Sequence, residues 1–285
     1  MKILIVGMGS IGTRHYNLIK KHYPKYEVES FTALGRDWDE VKKRKFDVGF
    51  ICSPTHLHIT HALQLAELGM AIFCEKPLDC STKNLERLVS LVKEKRLITY
   101  LAYPFRHHPD IKRLKQFITE RNISNAGICC YTDISEWQKE YSKDRKTGGG
   151  AILELSHEID LAEYLFGKIV NITGVITGQS KIISAEPEVY MTAEHENGDT
   201  TSIHLDLESK CAERYIVFSA DKFHISLDYS PTEEMWCNQL THFFYNVGAG
   251  HTDIDNSIPN ASFLFKKIID FRKMNSEPSN NNISS

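Results

Sequence analysis

Residues 3–12 read ILIVGMGSIG, an apolar, β-branched run that passes directly into a glycine-rich turn. The run predicts a buried strand, and the segment after it, from about residue 10 to 22, has the character of a helix. In this context the three glycines fit G-x-G-x-x-G, the turn of a dinucleotide-binding βαβ unit. The opening residues therefore predict a parallel α/β sheet with a phosphate-binding turn.

Each glycine has a separate task in such a turn. Gly7 allows the tight bend, Gly9 lets the backbone approach a pyrophosphate, and Gly12 lets the helix pack closely on the strand. Ser10 and Ile11 begin the helix, whose first N–H groups bind an anion. The alternative is a glycine-rich turn that binds no ligand; the strand before it and the helix after it favour the cofactor site.

The end of the second predicted strand favours NADP over NAD. An NAD site usually carries Asp or Glu there, which holds the ribose 2′-OH. This chain has Ser30, Phe31 and Thr32 at that position, with Glu29 before them and Arg36 shortly after. A strand end with hydroxyl groups and a nearby arginine suits a 2′-phosphate.

The pattern of apolar residues divides the chain into two parts. Strand-like runs at 26–31, 47–52, 71–74 and 97–102 alternate with helical segments, which predicts βαβ units. After about residue 120, β-rich segments follow one another with few helices between them, which predicts a mostly antiparallel sheet. One helix is expected after the first of these strands, from about residue 150 to 165, and two more, at about 233–247 and 259–273, are expected to close the chain.

We therefore expect an α/β N-terminal Rossmann domain at 1–120 and an α+β C-terminal domain with a mostly antiparallel sheet at 121–274. The first would bind the dinucleotide, and the second would serve substrate binding and oligomerisation. The Ser- and Asn-rich tail at 275–285 is expected to be disordered.

Composition and charge exclude several classes of protein. There are 34 basic and 37 acidic residues, so no basic excess favours a nucleic-acid partner. The chain contains no run of about 18 apolar residues, the length needed to span a membrane. The first apolar run is too short for the core of a signal peptide. Seven cysteines without a C-x-x-C pair suit a reducing compartment. We expect a cytoplasmic protein with neither a nucleic-acid nor a membrane partner.

Three histidines lie near the start of one predicted helix, at His56, His58 and His61, and such a cluster could indicate a metal site. No acidic residue or cysteine stands beside them in the sequence. We expect a helix N-terminus with one histidine facing a ligand, and no metal.

Further motifs lie at the carboxyl ends of predicted parallel strands, where open α/β sheets bind ligands. They are SPTHLH at 53–58, EKP at 75–77 and, later, YPFR at 103–106. GGGAILELSHEID at 148–160 opens the helix of the second domain. In this order the motifs resemble those of the oxidoreductase family of glucose–fructose oxidoreductase, inositol dehydrogenase and MocA proteins. The resemblance runs from residue 1 to about 167 and continues more loosely to about 273.

This resemblance implies the cofactor contacts. Lys76 would contact both the nicotinamide ribose and the substrate hydroxyl, and Glu75 would hold the ribose. The neighbouring motif residues would line the site. These are Ser53, Pro54, Thr55 and His58 of the first motif, Pro77 of the second, and Tyr103 and Arg106 of the third. Pro104 and His107 depart from the family pattern in that third motif.

The resemblance also implies that His157 is the catalytic histidine of a His-x-x-Asp pair with Asp160. Most members have an Asp four residues before this His, whereas this chain has Glu154 three before it. Spacings of three and four residues both keep side chains on one helical face, so Glu154 could still reach the pocket. His is the default proton acceptor near neutral pH, and Lys⁺ stabilises a developing alkoxide.

The expected function is therefore hydride transfer between NAD or NADP and a hydroxyl or carbonyl carbon. The substrate would be a sugar, a polyol or a nucleotide-linked or N-acetylated sugar, and the resemblance implies a homodimer or homotetramer. Two alternatives remain open. One is a non-catalytic NAD(P)-binding regulator or sensor; the other is a reductase of a non-sugar such as biliverdin.

Overall fold

The computed structural model describes residues 1–31, 38–137, 142–178, 180–220, 223–252 and 254–275. Thr32, Arg36 and the tail from 276 onward lie outside these ranges. Within the described part, the chain divides into two units. The first unit comprises Met1–Phe117, Lys146–Gly148 and Ser230–Phe265, and the second comprises Ile118–Arg145, Gly149–Tyr229 and Lys266–Ser285.

A five-stranded parallel sheet forms the centre of the first unit. Its strands, in the spatial order β2-β1-β3-β4-β5, are β1 (Lys2–Val6), β2 (Glu27–Phe31), β3 (Val48–Ile51), β4 (Ala71–Glu75) and β5 (Thr99–Ala102). The helices between and after them are α1 (Ser10–His22), α2 (Trp38–Lys42), α3 (His58–Glu67), α4 (Leu85–Glu94) and α5 (Pro109–Arg121). Because neighbouring strands are parallel, their carboxyl ends meet at one edge of the sheet.

Two helices follow the second sheet in the chain, α8 (Glu233–Ala249) and α9 (Ile258–Met274). We expected residues 230–265 in the second domain, whereas the structure packs them with the first sheet. The physical reason is aromatic burial: Phe243 and Phe244 of α8 contact Phe50 of β3, and Phe243 also contacts Phe73 of β4. All four rings belong to one apolar core.

A six-stranded sheet forms the second unit. Its strands, in the spatial order β11-β10-β6-β9-β8-β7, are β6 (Asn125–Asp133), β7 (Ile169–Thr177), β8 (Glu188–His195), β9 (Thr200–Asp206), β10 (Glu208–Ala220) and β11 (Phe223–Asp228). Within the described residues, β6 and β9 pair in parallel and the other pairs of this sheet are antiparallel. The expected fold class, a parallel Rossmann sheet followed by a mostly antiparallel sheet, is confirmed.

Two short helices, α6 (Ala151–Glu154) and α7 (Ser156–Phe166), stand where one helix was expected. The break is at Leu155, whose φ of −101° and ψ of 27° end α6. α7 packs on β6, β8 and β9. Short 3-10 turns lie at Thr55–Leu57, Pro104–His107, Ile134–Glu136 and Arg145–Thr147. No helix within the described ranges is long and apolar enough to cross a membrane.

Candidate active site

The glycine turn connects β1 to α1 and lies against the end of β3. Gly7 has a φ of +98°, and a Cβ there would come within 2.6 Å of the Cys52 carbonyl oxygen. A Cβ at Gly12 would overlap the carbonyl oxygen of Gly7. Both positions therefore require glycine for reasons internal to the fold.

Gly9 differs, since a Cβ there would meet no described atom within 4 Å. Its φ of −70° and ψ of −168° are open to any residue. The first turn of α1 carries no acidic side chain. Thr13 N donates to Gly9 O at 2.9 Å, so the N–H groups of residues 10–12 precede the first intrahelical bond. This cradle fits a phosphate group, and it would hold the pyrophosphate of a dinucleotide.

His58 joins the loops that follow β3 and β4. Its Nε2 lies 2.7 Å from the carbonyl oxygen of Ser53, and its Nδ1 lies 2.8 Å from that of Pro77. Burial lowers the pKa of His58, against the two carbonyls, which raise it. The ring is 2% exposed. His58 therefore positions the two predicted motifs relative to each other.

Asp79 makes a second connection between the same loops. Its Oδ2 accepts from Ile59 N, in the first turn of α3, at 3.2 Å, and its Oδ1 accepts from Cys80 N at 2.7 Å. A carboxylate at a helix N-terminus is favoured by the helix dipole. Lys76 and Pro77 thus lie in a loop held at both ends, with a cis bond between them.

Glu75, at the end of β4, contacts α1. Its Oε1 lies 2.6 Å from His15 Nε2, and the His15 side chain is fully buried while that of Glu75 is 12% exposed. The His15 ring packs on Phe50 and Phe73. One imidazole therefore links the helix of the glycine turn to the proposed ribose ligand.

The remaining first-unit candidates are largely buried. Ser53 Oγ lies 2.9 Å from Nδ1 of His61, and burial lowers the pKa of that histidine to about 4. Thr55 contacts Gly148, where a Cβ would come within 2.6 Å of its methyl carbon. Tyr103 is 5% exposed, and Arg106 is half-buried.

In the second unit, the three candidates lie on either side of the break at Leu155. Glu154 ends α6, while His157 and Asp160 lie three residues apart on α7. Glu154 and His157 are half-buried, and Asp160 is 2% exposed. The expectation that Glu154 shares a face with His157 assumed one continuous helix, and the break removes that argument.

Two buried ion pairs anchor these helices. Glu158 of α7 lies 2.7 Å from Arg214 Nε, and Arg214 also donates to Cys130 Sγ. The Glu158 carboxylate helps raise the pKa of Arg214 above its usual range, against burial, which lowers it.

At the start of α6, Glu186 lies 2.8 Å from Arg272 Nε and accepts from Arg145 at 3.3 Å. Arg272 also donates to the carbonyl of Gly149. The backbone carbonyl of Glu186 accepts from Ala151 N at 2.8 Å. These contacts fix the direction in which α6 leaves the glycine run.

Sequence reasoning missed the residues that hold the candidate residues in place within each unit. These are His15 and Asp79 in the first unit and Glu186 and Arg272 in the second. Their partners lie far along the chain, so no local spacing identifies them. An acidic residue shortly after EKP was the one available signal, for Asp79.

Comparisons with known proteins identify the same two parts. The family model "Oxidoreductase family, NAD-binding Rossmann fold" matches residues 34–103, and "GFO/IDH/MocA C-terminal domain" matches residues 125–225. Levoglucosan dehydrogenase of Pseudarthrobacter phenanthrenivorans is 28% identical over 135 residues, covering 45% of this chain and 35% of that protein.

Myo-inositol 2-dehydrogenase of Thermotoga maritima is 25% identical over 187 residues, covering 60% of this chain and 56% of that protein. The matched parts thus span less than two thirds of either relative. The crystal structure of GenD2 from gentamicin A biosynthesis in complex with NAD has a TM-score of 0.81 at 16% identity, over 96% of this chain and 93% of that chain. That likeness concerns the fold.

Proposed function

Because the chain belongs to the GFO/IDH/MocA oxidoreductase family, we propose that it transfers hydride between a nicotinamide dinucleotide and a hydroxyl-bearing carbon. The proposed substrate is a sugar, a polyol or a nucleotide-linked or N-acetylated sugar. Levoglucosan dehydrogenase and myo-inositol 2-dehydrogenase, which are named for such substrates, support this class.

One observation carries the proposal: three separate motifs meet at the carboxyl edge of the first sheet. Gly7 touches the backbone of Cys52 and Ser53, His58 joins Ser53 to Pro77, and His15 joins α1 to Glu75. This edge is where open α/β sheets bind dinucleotides. The first N–H groups of α1 would hold the pyrophosphate, and Glu75 would hold the nicotinamide ribose.

When bound, the nicotinamide supplies the hydride acceptor or donor. Lys76 would contact the ribose and the substrate hydroxyl, where its ammonium stabilises negative charge on oxygen. His157 would take the hydroxyl proton during oxidation and return it during reduction. Asp160, one turn along α7, would orient the imidazole, and Glu154 is the second candidate for that role.

Family membership supports NAD(H) binding in general, whereas the preference between NAD and NADP remains a proposal. Thr32 and Arg36, which favour NADP, lie outside the described residues. The D-xylose 1-dehydrogenase [NADP(+)] of Haloarcula marismortui, 33% identical over 120 residues, agrees with that preference. A cytoplasmic location stays a prediction of the cysteine pattern.

We also propose a homodimer or homotetramer assembled through the open face of the second sheet. Tyr190 on β8, Val175 on β7 and Val217 on β10 are 44%, 54% and 37% exposed. Exposed apolar side chains across a sheet face are typical of an interface. Sedimentation of the purified protein tests this, and a strict monomer at micromolar concentration would contradict it.

The decisive experiment is a titration with NADH and NADPH, read by energy transfer from the three tryptophans. Micromolar binding of either cofactor is expected, with NADPH tighter. No binding by folded protein would overturn the proposal.

Single-turnover hydride transfer to a panel of sugars and polyols then separates an enzyme from a regulator that only binds the cofactor. Reduction of biliverdin but of no sugar would favour the other reductase class.

A further inference from the structure

A cluster of metal-ligating side chains lies between α1 and α8, away from the proposed cofactor cradle. His22 is in the last turn of α1, while Glu233 and Cys237 are one helical turn apart on α8. Their ligand atoms all lie within 4.8 Å of one another. Among the described residues, no other group of three metal-ligating side chains meets that distance. We propose that His22, Glu233 and Cys237 form a Zn²⁺-binding site.

The spacing of these atoms suits tetrahedral zinc. Cys237 Sγ lies 3.5 Å from His22 Nε2, and that nitrogen lies 3.7 Å from Glu233 Oε1. Zinc bonds of about 2.3 Å to sulfur and about 2.0–2.1 Å to nitrogen and oxygen require separations of about 3.6 and 3.4 Å. Two sides of the triangle of ligand atoms therefore lie within about 0.3 Å of these values, and the third, from sulfur to the carboxylate, is at most 4.8 Å and would have to shorten to enclose the ion.

The types of donor select the metal. One thiolate, one imidazole and one carboxylate suit Zn²⁺, whereas Mg²⁺ and Ca²⁺ prefer oxygen ligands alone. The His22 and Glu233 side chains are 39% and 59% exposed, so solvent can supply the fourth ligand. Three protein ligands with one open position describe an accessible site.

Two neighbouring features affect the energy of binding. Lys21 Nζ lies 2.7 Å from the same Glu233 oxygen, so the ion would have to displace this ion pair. The pair is exposed and therefore contributes little to the stability of the fold. A cation there is favoured by the C-terminus of α1 and disfavoured by the N-terminus of α8, so the two helix dipoles oppose each other.

This site was not expected, because the sequence analysis predicted no metal. Its cysteine and histidine are 215 positions apart in the chain. Two ligating residues spaced four apart on one helix, as Glu233 and Cys237 are, occur too often to indicate a metal site by themselves.

Titration of the full chain with Co²⁺ and Zn²⁺ tests the site. Wild-type protein should bind one equivalent of Co²⁺ with a thiolate-to-cobalt charge-transfer band, and Zn²⁺ should displace it. Cys237→Ser should abolish the band, and His22→Gln or Glu233→Gln should weaken Zn²⁺ affinity by about tenfold or more. Zn²⁺ should also raise the melting temperature of wild type more than that of Cys237→Ser.

The matched control is Cys211→Ser, which removes an exposed thiol outside the cluster and should leave the band and affinity unchanged. Circular dichroism of each variant verifies its fold. Co²⁺ binding without a thiolate band, or equal Zn²⁺ affinity in wild type and Cys237→Ser, would overturn the proposal.

Discussion

His15 Nε2 lies 2.6 Å from Glu75 Oε1, and this contact joins the helix of the glycine turn to the end of the fourth strand. The imidazole is buried between two phenylalanines, so its position is set by packing. The same contact fixes Glu75, the residue that we propose holds the nicotinamide ribose. A single residue thus relates the proposed pyrophosphate and ribose sites.

Replacing His15 by Phe should weaken cofactor binding. Phenylalanine keeps the ring packing but offers no nitrogen to Glu75, so we expect NADH affinity to fall about tenfold, or ~1.4 kcal/mol. The titration described above measures it. His15→Gln provides a polar comparison, and unchanged affinity in both folded variants would remove this role from His15.

Substitution by Ala should abolish cofactor binding at Gly9 and lower the stability of the fold at Gly7. At Gly9 the new methyl group meets only open space, so stability should change by less than about 0.5 kcal/mol while cofactor binding is lost. At Gly7 both the positive φ and the Cys52 carbonyl oppose a side chain, which should cost at least about 2 kcal/mol.

The control for Gly9 is Gly248→Ala in α8, where a Cβ also meets open space. It should preserve cofactor binding. Tight NADH binding by Gly9→Ala would contradict the proposed pyrophosphate contact.

His157→Asn should lower turnover by about 10²- to 10⁴-fold, because the proton acceptor is lost. The Kd for NADH should stay within about twofold of wild type, since the proposed cradle lies in the first unit. Steady-state kinetics and the cofactor titration measure both. Glu154→Gln should have the smaller effect on turnover, and the reverse order would exchange the two roles.

Mild acid should destabilise the fold through buried histidines. Burial lowers the pKa of His61 to about 4 and that of His107 to about 3. Unfolded histidine titrates near pH 6.5, so below that pH the unfolded chain binds more protons than the folded chain. The free energy of unfolding should therefore fall as the pH is lowered from about 6.5 towards 4, by at most about 1.4 kcal/mol per pH unit for each histidine.

Denaturant unfolding across this pH range measures the slope. His61→Asn places an amide near the position of Nδ1, where it can still bond Ser53, and should make the slope shallower. An equal slope in wild type and variant would show that His61 is not responsible.

Arg272→Met should lower the free energy of unfolding by about 3 kcal/mol. Arg272 and Glu186 are 4% and 2% exposed. Removing the arginine leaves a buried carboxylate that loses its 2.8 Å ion pair and keeps the longer 3.3 Å contact with Arg145. Arg87→Met, which breaks the exposed pair with Glu67, is the control and should cost less than about 1 kcal/mol. Similar losses in the two variants, measured by urea unfolding, would argue against this reasoning.

Four strands of the first sheet, β1, β3, β4 and β5, were predictable because each is a short, largely buried run of mostly apolar residues between turn signals. The glycine turn was predictable because its spacing is local. The break at Leu155 was not, since the segment LELSHE contains neither Gly nor Pro. The packing of α8 was also missed, because apolar periodicity identifies a buried helix face but not the sheet that it covers.

The candidate site was also predictable from the sequence only in part. Motifs at strand ends could be assigned to one edge from topology alone. Contacts such as His58 with Pro77 depend on how two loops approach each other, which no spacing encodes. Buried ion pairs such as Glu186 with Arg272 join segments 86 positions apart and are determined only by the folded chain.

Because a ribosome synthesises this chain from its N-terminus, β1–β5 emerge well before α8, the helix that covers one face of their sheet. Phe50 and Phe73 therefore lack Phe243 and Phe244 while residues 118–229, most of the second unit, are being synthesised. The nascent first unit therefore exposes apolar surface throughout that interval, and surface of this kind promotes aggregation. A fragment ending near residue 120 would retain this uncovered aromatic surface permanently.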